Sequence, residues 1–301
     1  MVGPGAIGCA FAATAVQAGR SLVFGARTPF DRLQVDFPDV AVDEPVDVLL
    51  DPAEARPVPL VLLATKTHQT EAAAPWLDGF TDEGTVVVSL QNGVDHRRRV
   101  DPLLGPGVIS LPAVVACAAQ RAAPGRATVS DHAQLHVPAG EAADRLIAAL
   151  DDSKASVRAV DDWETVAWTK LMTNAAMGGI GVLTRRDNRV FHDEEARELA
   201  LGIMEEVAAV GRAEGADLGP DLADRLLEIV MARAGEHVSS IVADRLADRP
   251  TEWRDRNEVV VRLADAHGID VPLSRVVTTL LRLGEPADDE DPVPPEAGSG
   301  T

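Results

Sequence analysis

Three glycines within the first eight residues constrain this chain more than any other feature. Val2-Gly3-Pro4-Gly5-Ala6-Ile7-Gly8 reads G-x-G-x-x-G, and small, helix-permissive residues follow as far as Gly19. In a dinucleotide-binding βαβ unit each glycine has its own task. Gly3 permits the tight turn out of the first strand, Gly5 lets a pyrophosphate approach the backbone, and Gly8 lets the helix lie close on the sheet. The free N–H groups of the first helical turn, at Ala6, Ile7 and Gly8, then face the phosphates. Unrelated glycine turns match the same pattern. The strand-like Ser21-Leu22-Val23-Phe24 behind the helix supplies the context that a βαβ unit requires. A glycine-rich turn with no ligand is the competing reading. Only Met1 and Val2 precede Gly3, where a strand of about 5–6 residues is the norm. Either the true start lies upstream or the first strand is severely shortened.

An anionic cofactor needs local cations, and this chain is strongly acidic. Its 301 residues carry a formal net charge of −20, which argues against nucleic acid or an anionic membrane as partner. Every Arg or Lys near the glycines is therefore informative. The first is Arg27, in Gly25-Ala26-Arg27-Thr28 at the end of the second strand. An acidic residue near this point would hold the ribose hydroxyls of NAD, whereas a guanidinium suits the 2′-phosphate of NADP; a solvated surface Arg is the alternative. The second is Lys66. It follows the continuous apolar run Pro59–Thr65, which reads as a buried parallel strand. Ligands in open α/β sheets bind beyond the carboxyl ends of strands. Asn92, in Gln91-Asn92-Gly93 after the strand Thr85–Leu90, projects into the same crevice. A surface Lys and an ordinary Asn-Gly turn are the competing readings of these two.

A helix is expected from about Gln69, two strands over 107–118 and 127–137 around a turn at Ala123-Pro124-Gly125, a helix at Glu141–Leu150 and a strand at Ser156–Val160. Beyond Asp162 the pattern is helical to about Leu283, with Leu199, Ile203, Val207 and Val210 as an apolar stripe. The predicted architecture is α/β: a Rossmann-type dinucleotide-binding domain over residues 1–160, then an all-helical domain over 161–284. The acidic, Pro-rich tail at 285–301 should be disordered. With 46% hydrophobic residues the chain can build a sizeable core, and with 3% aromatic residues and no Tyr that core is mainly Ala, Val and Leu. Two cysteines, Cys9 and Cys117, suggest no disulfide framework and point to a reducing, cytoplasmic compartment. No signal peptide and no membrane-length apolar run is present. His132 and His136 lack a third ligand nearby, so no metal is expected. No phosphate-binding G-x-x-x-x-G-K-[ST] loop or G-x-S-x-G elbow occurs.

The first helix of the second half, Trp163-Glu164-Thr165-Val166-Ala167-Trp168-Thr169-Lys170-Leu171-Met172-Thr173-Asn174, carries Lys170 and Asn174 four apart on one face. A Lys on a partly buried helix can deliver a proton near neutral pH; a Lys whose stem covers apolar surface is the other reading. Further on, after His237-Val238-Ser239-Ser240, Thr251 could cap a helix ending near His267-Gly268. Glu252 would then simply favour that helix's positive end.

Taken together, these pieces resemble the ketopantoate reductase (2-dehydropantoate 2-reductase) family over nearly the whole chain to about Leu283. The matching pieces are the opening glycines, Ala64-Thr65-Lys66, Gln91-Asn92-Gly93, Trp168-Thr169-Lys170-Leu171 with Asn174, Ser239-Ser240 ahead of Glu252, and Ala266-His267-Gly268-Ile269-Asp270-Val271-Pro272. The resemblance implies NADPH-dependent reduction of a 2-oxo acid, in a cleft between a Rossmann domain and a helical domain. It makes Lys170 the general acid and gives Glu252 the substrate or the orientation of Lys170. Asn92, Asn174 and Ser240 fall on substrate-binding positions, with Lys66 and Arg27 on the cofactor side. The reading leaves a homodimer open. A second family Asn, four residues past Asn174, is Gly178 here, so a substrate-facing amide is gone. This leaves room for a related 2-oxo acid, or for another ketone or an imine. A non-catalytic NADP-binding sensor or subunit is a rival of a different class.

Overall fold

The computed structural model describes residues 1–131, 133–232 and 238–285. His132, His237 and residues 286–301, which include most of the tail expected to be disordered, lie outside the described residues.

The chain begins with Val2, helix α1 (Ala6–Gln17) and strand β1 (Val23–Gly25). Strands β2 (Arg32–Asp36), β3 (Ala41–Pro45), β4 (Asp47–Leu49) and β5 (Leu60–Leu63) precede helix α2 (Ala74–Phe80). Strand β6 (Val86–Ser89), helix α3 (His96–Val100) and strand β7 (Ile109–Pro112) complete the first sheet. Its strands are parallel. β4 pairs with β1, and β5 pairs with β6, which pairs with β7. Between β1 and β5 lies the shortened first strand, reduced to bridges from Val2 to Gly25 and to Leu63. Four hydrogen bonds hold it: Met1 N to the Val23 carbonyl at 2.8 Å, Val2 N to the Leu62 carbonyl at 2.9 Å, Ala64 N to the Val2 carbonyl at 2.8 Å, and Gly25 N to the Met1 carbonyl at 2.9 Å. The backbone groups of both neighbours are thus satisfied where the glycine turn leaves the sheet.

Strands β8 (Val114–Ala116), β9 (Ala119–Ala123), β10 (Arg126–Val129) and β11 (Ala133–Pro138) follow, then helix α4 (Glu141–Leu150) and strand β12 (Ala155–Val160). They form two further sheets, ordered β3-β2-β10-β9 and β12-β11-β8. The two strands expected over 107–118 and 127–137 are four shorter ones, β7, β8, β10 and β11, with β9 between them. The reversal at Gly125 needs φ +69°, and a Cβ there would stand 2.4 Å from the Arg32 carbonyl oxygen. The expected helix after Lys66 also starts late, through two 3-10 turns, Thr67–Gln69 and Glu71–Ala73, before α2.

The rest is helical: α5 (Trp163–Thr184), α6 (Glu194–Ala213), α7 (Leu222–Ala232), α8 (Ser240–Leu246), α9 (Val259–His267) and α10 (Pro272–Gly284). Asp162 caps α5 by accepting from Thr165 N at 3.0 Å, and Asp193 caps α6 by accepting from Ala196 N at 3.0 Å. Helix α5 is the axis of this region. Trp168, Leu171, Met172, Ala175 and Ile180 are buried in one core with Ile203, Val207 and Val210 of the α6 stripe, while Leu199 packs at its edge. Close packing of the two helices needs Gly211, because a Cβ there would lie 2.9 Å from the Trp168 ring. Thr251 does not cap a helix as expected. Its N–H and hydroxyl donate to Glu285 at 2.5 and 2.9 Å, and a π-helical turn, Arg254–Glu258, leads into α9. Among the described residues no helix is long and apolar enough to cross a membrane.

Candidate active site

The glycine turn is shaped by positions where no side chain fits. Gly3 sits at φ +85°, and a Cβ on it would stand 2.6 Å from Thr65 N, within the backbone leaving β5. At Gly8 a Cβ would meet the Gly3 carbonyl oxygen at 2.2 Å, so α1 can lie against the turn only without one. At Gly5 an added Cβ meets nothing within 4 Å, which leaves an open side to the loop. No side chain caps α1 at Gly5, and its first turn holds no acidic residue. The N–H groups of Ala6, Ile7 and Gly8 therefore begin a helix with neither a side-chain cap nor an opposing charge, a setting suited to an anion. Arg27 is exposed just past β1.

The turn after β6 is held from several directions. Gln91 Nε2 donates to the Thr65 carbonyl, Thr65 Oγ1 and Thr70 Oγ1 at 3.2, 3.0 and 2.8 Å, tying the loop after β5 to the loop after β6. His96 Nε2 lies 2.9 Å from the Gln91 carbonyl oxygen, and burial lowers this imidazole to a pKa of about 3, so it is neutral. Arg99 donates to the Asn92 carbonyl at 3.0 Å and pairs with Asp255 at 2.5 Å. Gly93, at φ +98°, touches the π turn, since a Cβ there would stand 2.9 Å from the Asp255 carbonyl oxygen.

Lys170 reaches this turn from α5. Its Nζ donates to the Val115 carbonyl of β8 at 2.6 Å and to Asn92 Oδ1 at 3.3 Å. The same Asn92 amide donates through Nδ2 to Glu252 Oε2 at 3.0 Å. Glu252 Oε1 accepts from Thr67 N at 3.2 Å. Asn92 thus links the lysine to the glutamate, and both side chains cross from the helical region to loops at the carboxyl ends of β5 and β6.

The electrostatics follow from burial. Desolvation of the ammonium lowers Lys170 to a pKa of about 8; the Arg256 charge pushes the same way, while Glu252 and Cys117 oppose it. For Glu252 burial favours the neutral acid. Lys66, Arg256, the Asn92 amide and the Thr67 N–H outweigh it and hold the carboxyl at about 2, an anion at any working pH. Lys66 donates to Asp244 Oδ2 of α8 at 2.6 Å and lies 3.6 Å from Glu252 Oε2. Asp244 also accepts from Arg249 at 2.9 Å.

Lys170, Asn92, Glu252 and Lys66 therefore converge, although they come from distant parts of the chain. Asn174, one turn beyond Lys170, is half-buried. Ser240 opens α8, is exposed, and accepts from Arg256 Nη2 at 3.0 Å. The glycine turn leaves the middle of the parallel sheet between β1 and β5, with Gly3 against Thr65, the residue before Lys66, and Arg27 follows β1. Participants that escaped the sequence reading include the Val115 carbonyl, the Thr67 N–H, Asp244, Arg249 and Arg256. Backbone carbonyls carry no sequence signal. Asp244 meets Lys66 of the loop after β5, and Arg256 meets Ser240 of α8 and the Gly178 position of α5, partners that no local sequence pattern shows.

Similarity to known proteins gives the family. The family sequence model of ketopantoate reductase PanE/ApbA matches residues 1–142, and its C-terminal counterpart matches residues 162–285. The chain belongs to the ketopantoate reductase PanE/ApbA family. It is 38% identical over 284 residues to the 2-dehydropantoate 2-reductase of Caulobacter vibrioides, covering 93% of this chain and 97% of that one. It is 39% identical over 284 residues to the enzyme of the same name from Mycobacterium tuberculosis, covering 93% and 95%. A crystal structure of a PanE/ApbA family ketopantoate reductase from Ralstonia eutropha superposes with a TM-score of 0.86 at 27% identity, covering 95% of this chain and 98% of that one. Membership makes this chain an oxidoreductase of the CH–OH/C=O class, and the family implies a nicotinamide cofactor.

Proposed function

We propose that this chain reduces 2-dehydropantoate to pantoate with NADPH, using Lys170 as the general acid. In this reading residues 1–160 hold the cofactor and residues 161–284 supply the acid. Gly3, Gly5, Ala6, Ile7 and Gly8 receive the pyrophosphate, and Arg27 receives the 2′-phosphate through its planar fork of donors. A bound nicotinamide supplies the hydride. The Lys170 ammonium hydrogen-bonds the carbonyl oxygen and stabilises the charge that grows there. It gives up one proton as the C–O⁻ becomes C–OH, and the resulting amine is reprotonated from water. A pKa of about 8 leaves most of the lysine charged at neutral pH while making the proton easier to lose than from a free lysine. Asn92 aligns Nζ, and Glu252, a positioning residue, holds Asn92. Asn174 and Ser240 bind polar groups of the substrate.

The observation that carries this reading is the Lys170 ammonium, lodged at 3.3 Å from Asn92 and 2.6 Å from Val115 beside the carboxyl ends of the parallel strands. Gly178, in place of an amide, favours a second reading in which a related 2-oxo acid is the better substrate. Steady-state assays of 2-dehydropantoate against a panel of 2-oxo acids, each with NADPH and NADH, test both. Turnover of 2-dehydropantoate with NADPH at the highest kcat/KM is expected. No turnover with either cofactor overturns the proposal.

A further inference from the structure

The charges around Lys170 do not cancel. Glu252 and Asp244 face Lys66, Arg249, Arg256 and Lys170 itself, while Asp255 is taken by Arg99. Two anions against four cations leave a surplus of positive charge where an anionic substrate group would enter.

Arg256 is the least satisfied of these cations. Its side chain is 4% exposed, and its nearest Glu252 oxygen is 3.7 Å away, too far for a hydrogen bond. Nη2 donates to Ser240 Oγ at 3.0 Å, and Nε is buried with no partner. A buried guanidinium has five donors to satisfy, and unmet ones are costly. Its position is informative. A Cβ built on Gly178 would stand 3.2 Å from Ile241 Cγ2 and 3.6 Å from Arg256 Nη1. The guanidinium therefore lies over the spot where a side chain at 178 would begin. Gly178 shares the helix face of Lys170 and Asn174. A run of neighbours, Arg256 to Glu252 at 3.7 Å, Glu252 to Asn92 at 3.0 Å and Asn92 to Lys170 at 3.3 Å, connects the guanidinium to the ammonium.

We infer that Arg256, with Ser240 beside it, binds the carboxylate of the 2-oxo acid, supplying from the π turn the recognition that α5 lacks at Gly178. The inference rests on the 2-oxo acid reading given under Proposed function. A planar fork of donors matches a carboxylate, and the exposed Ser240 leaves a path to it.

The test compares 2-dehydropantoate with its methyl ester, which lacks the charge, in wild type, Arg256→Leu and Arg256→Lys. Pantoate binding to the NADPH-loaded protein is measured by calorimetry. Losing a charge-assisted bond should raise KM for the acid roughly 100-fold and weaken pantoate to a similar extent, with kcat little changed. The ester's kcat/KM should fall far less than the acid's, since only the acid loses a carboxylate contact while both feel the change of charge beside Lys170 and Glu252, and the NADPH Kd should not move. Arg256→Lys keeps the charge but not the fork; it should give a smaller rise, about tenfold, and it carries the test if Arg256→Leu does not fold. Equal losses on acid and ester, or no loss on either, overturn the role of Arg256 while leaving 2-oxo acid reduction standing. A wild type that reduces the ester as well as the acid overturns the carboxylate contact alone, and one that reduces neither overturns the 2-oxo acid reading.

Discussion

Lys170 earns its chemistry from where α5 places it, and its titration can be followed directly. The reacting form is the ammonium, fully present well below its pKa and lost above it. Burial holds that pKa near 8, so kcat/KM for carbonyl reduction should be flat towards neutral pH and fall as pH rises through about 8. A profile flat to pH 10 would remove Lys170 as the acid. Lys170→Ala should cost about 10²–10⁴-fold in kcat with NADPH affinity retained, which fluorescence titration checks. At the cofactor end Arg27 is exposed, so Arg27→Ala should leave stability unchanged and collapse the preference for NADPH over NADH. An unchanged ratio of the two affinities would take Arg27 out of the site. At this scale residue type and placement by themselves pointed to Lys170 and Asn92, whereas Glu252 read as a residue favouring a helix start and was singled out only by the family resemblance. Asp244 and Arg256 were not legible, because an Asp or Arg in a helix is ordinarily a solvated one.

Among the elements, the turn from Val2 into α1 and the π turn into α9 set the geometry. The first was readable from its glycines, of which Gly3 and Gly8 avoid specific collisions and Gly5 leaves the loop open. Gly8→Ala would set a methyl 2.2 Å from the Gly3 carbonyl oxygen. It should destabilise the fold by about 1–3 kcal/mol and abolish cofactor binding; urea unfolding and NADPH titration measure the two effects. The π turn had no such signature. Trp253 to Glu258 reads as plain helix, yet the wider turn buries both Arg256 and Asn257, at 3% and 1% exposure. Asn257 Nδ2 donates to the Ala175 carbonyl at 3.0 Å, which locks the turn to α5. Local propensity does not distinguish a π turn from an α turn, and packing against α5 and α8 decides between them. The strands between 107 and 138 show the same limit: their apolar runs were visible, while their breaks depended on which sheet each segment joined.

In the molecule as a whole, Glu252 and Lys66 tie the helical region to the parallel sheet. Glu252 is held at about 2, against 4.5 for a free glutamate, by Lys66, Arg256, Asn92 and Thr67 acting against burial. A depressed carboxyl stabilises the fold above its unfolded pKa and loses that contribution as pH falls. Stability should therefore decline from about pH 4.5 towards 2, and Glu252→Gln should lack that part of the decline while being less stable at neutral pH. Urea midpoints across this range test it, and equal slopes in wild type and variant would refute it. The sequence by itself determined the order of parts: a glycine-headed α/β region, a helical region, and a lysine and a glutamate in the latter. Those follow from hydrophobic periodicity and from steric demands that only glycine meets, both local properties. What only the tertiary structure decided is which charges are buried together. Desolvation and pairing depend on neighbours brought from far along the chain, and so the lowered lysine, the anionic glutamate and the half-satisfied Arg256 exist only once the two regions close on each other.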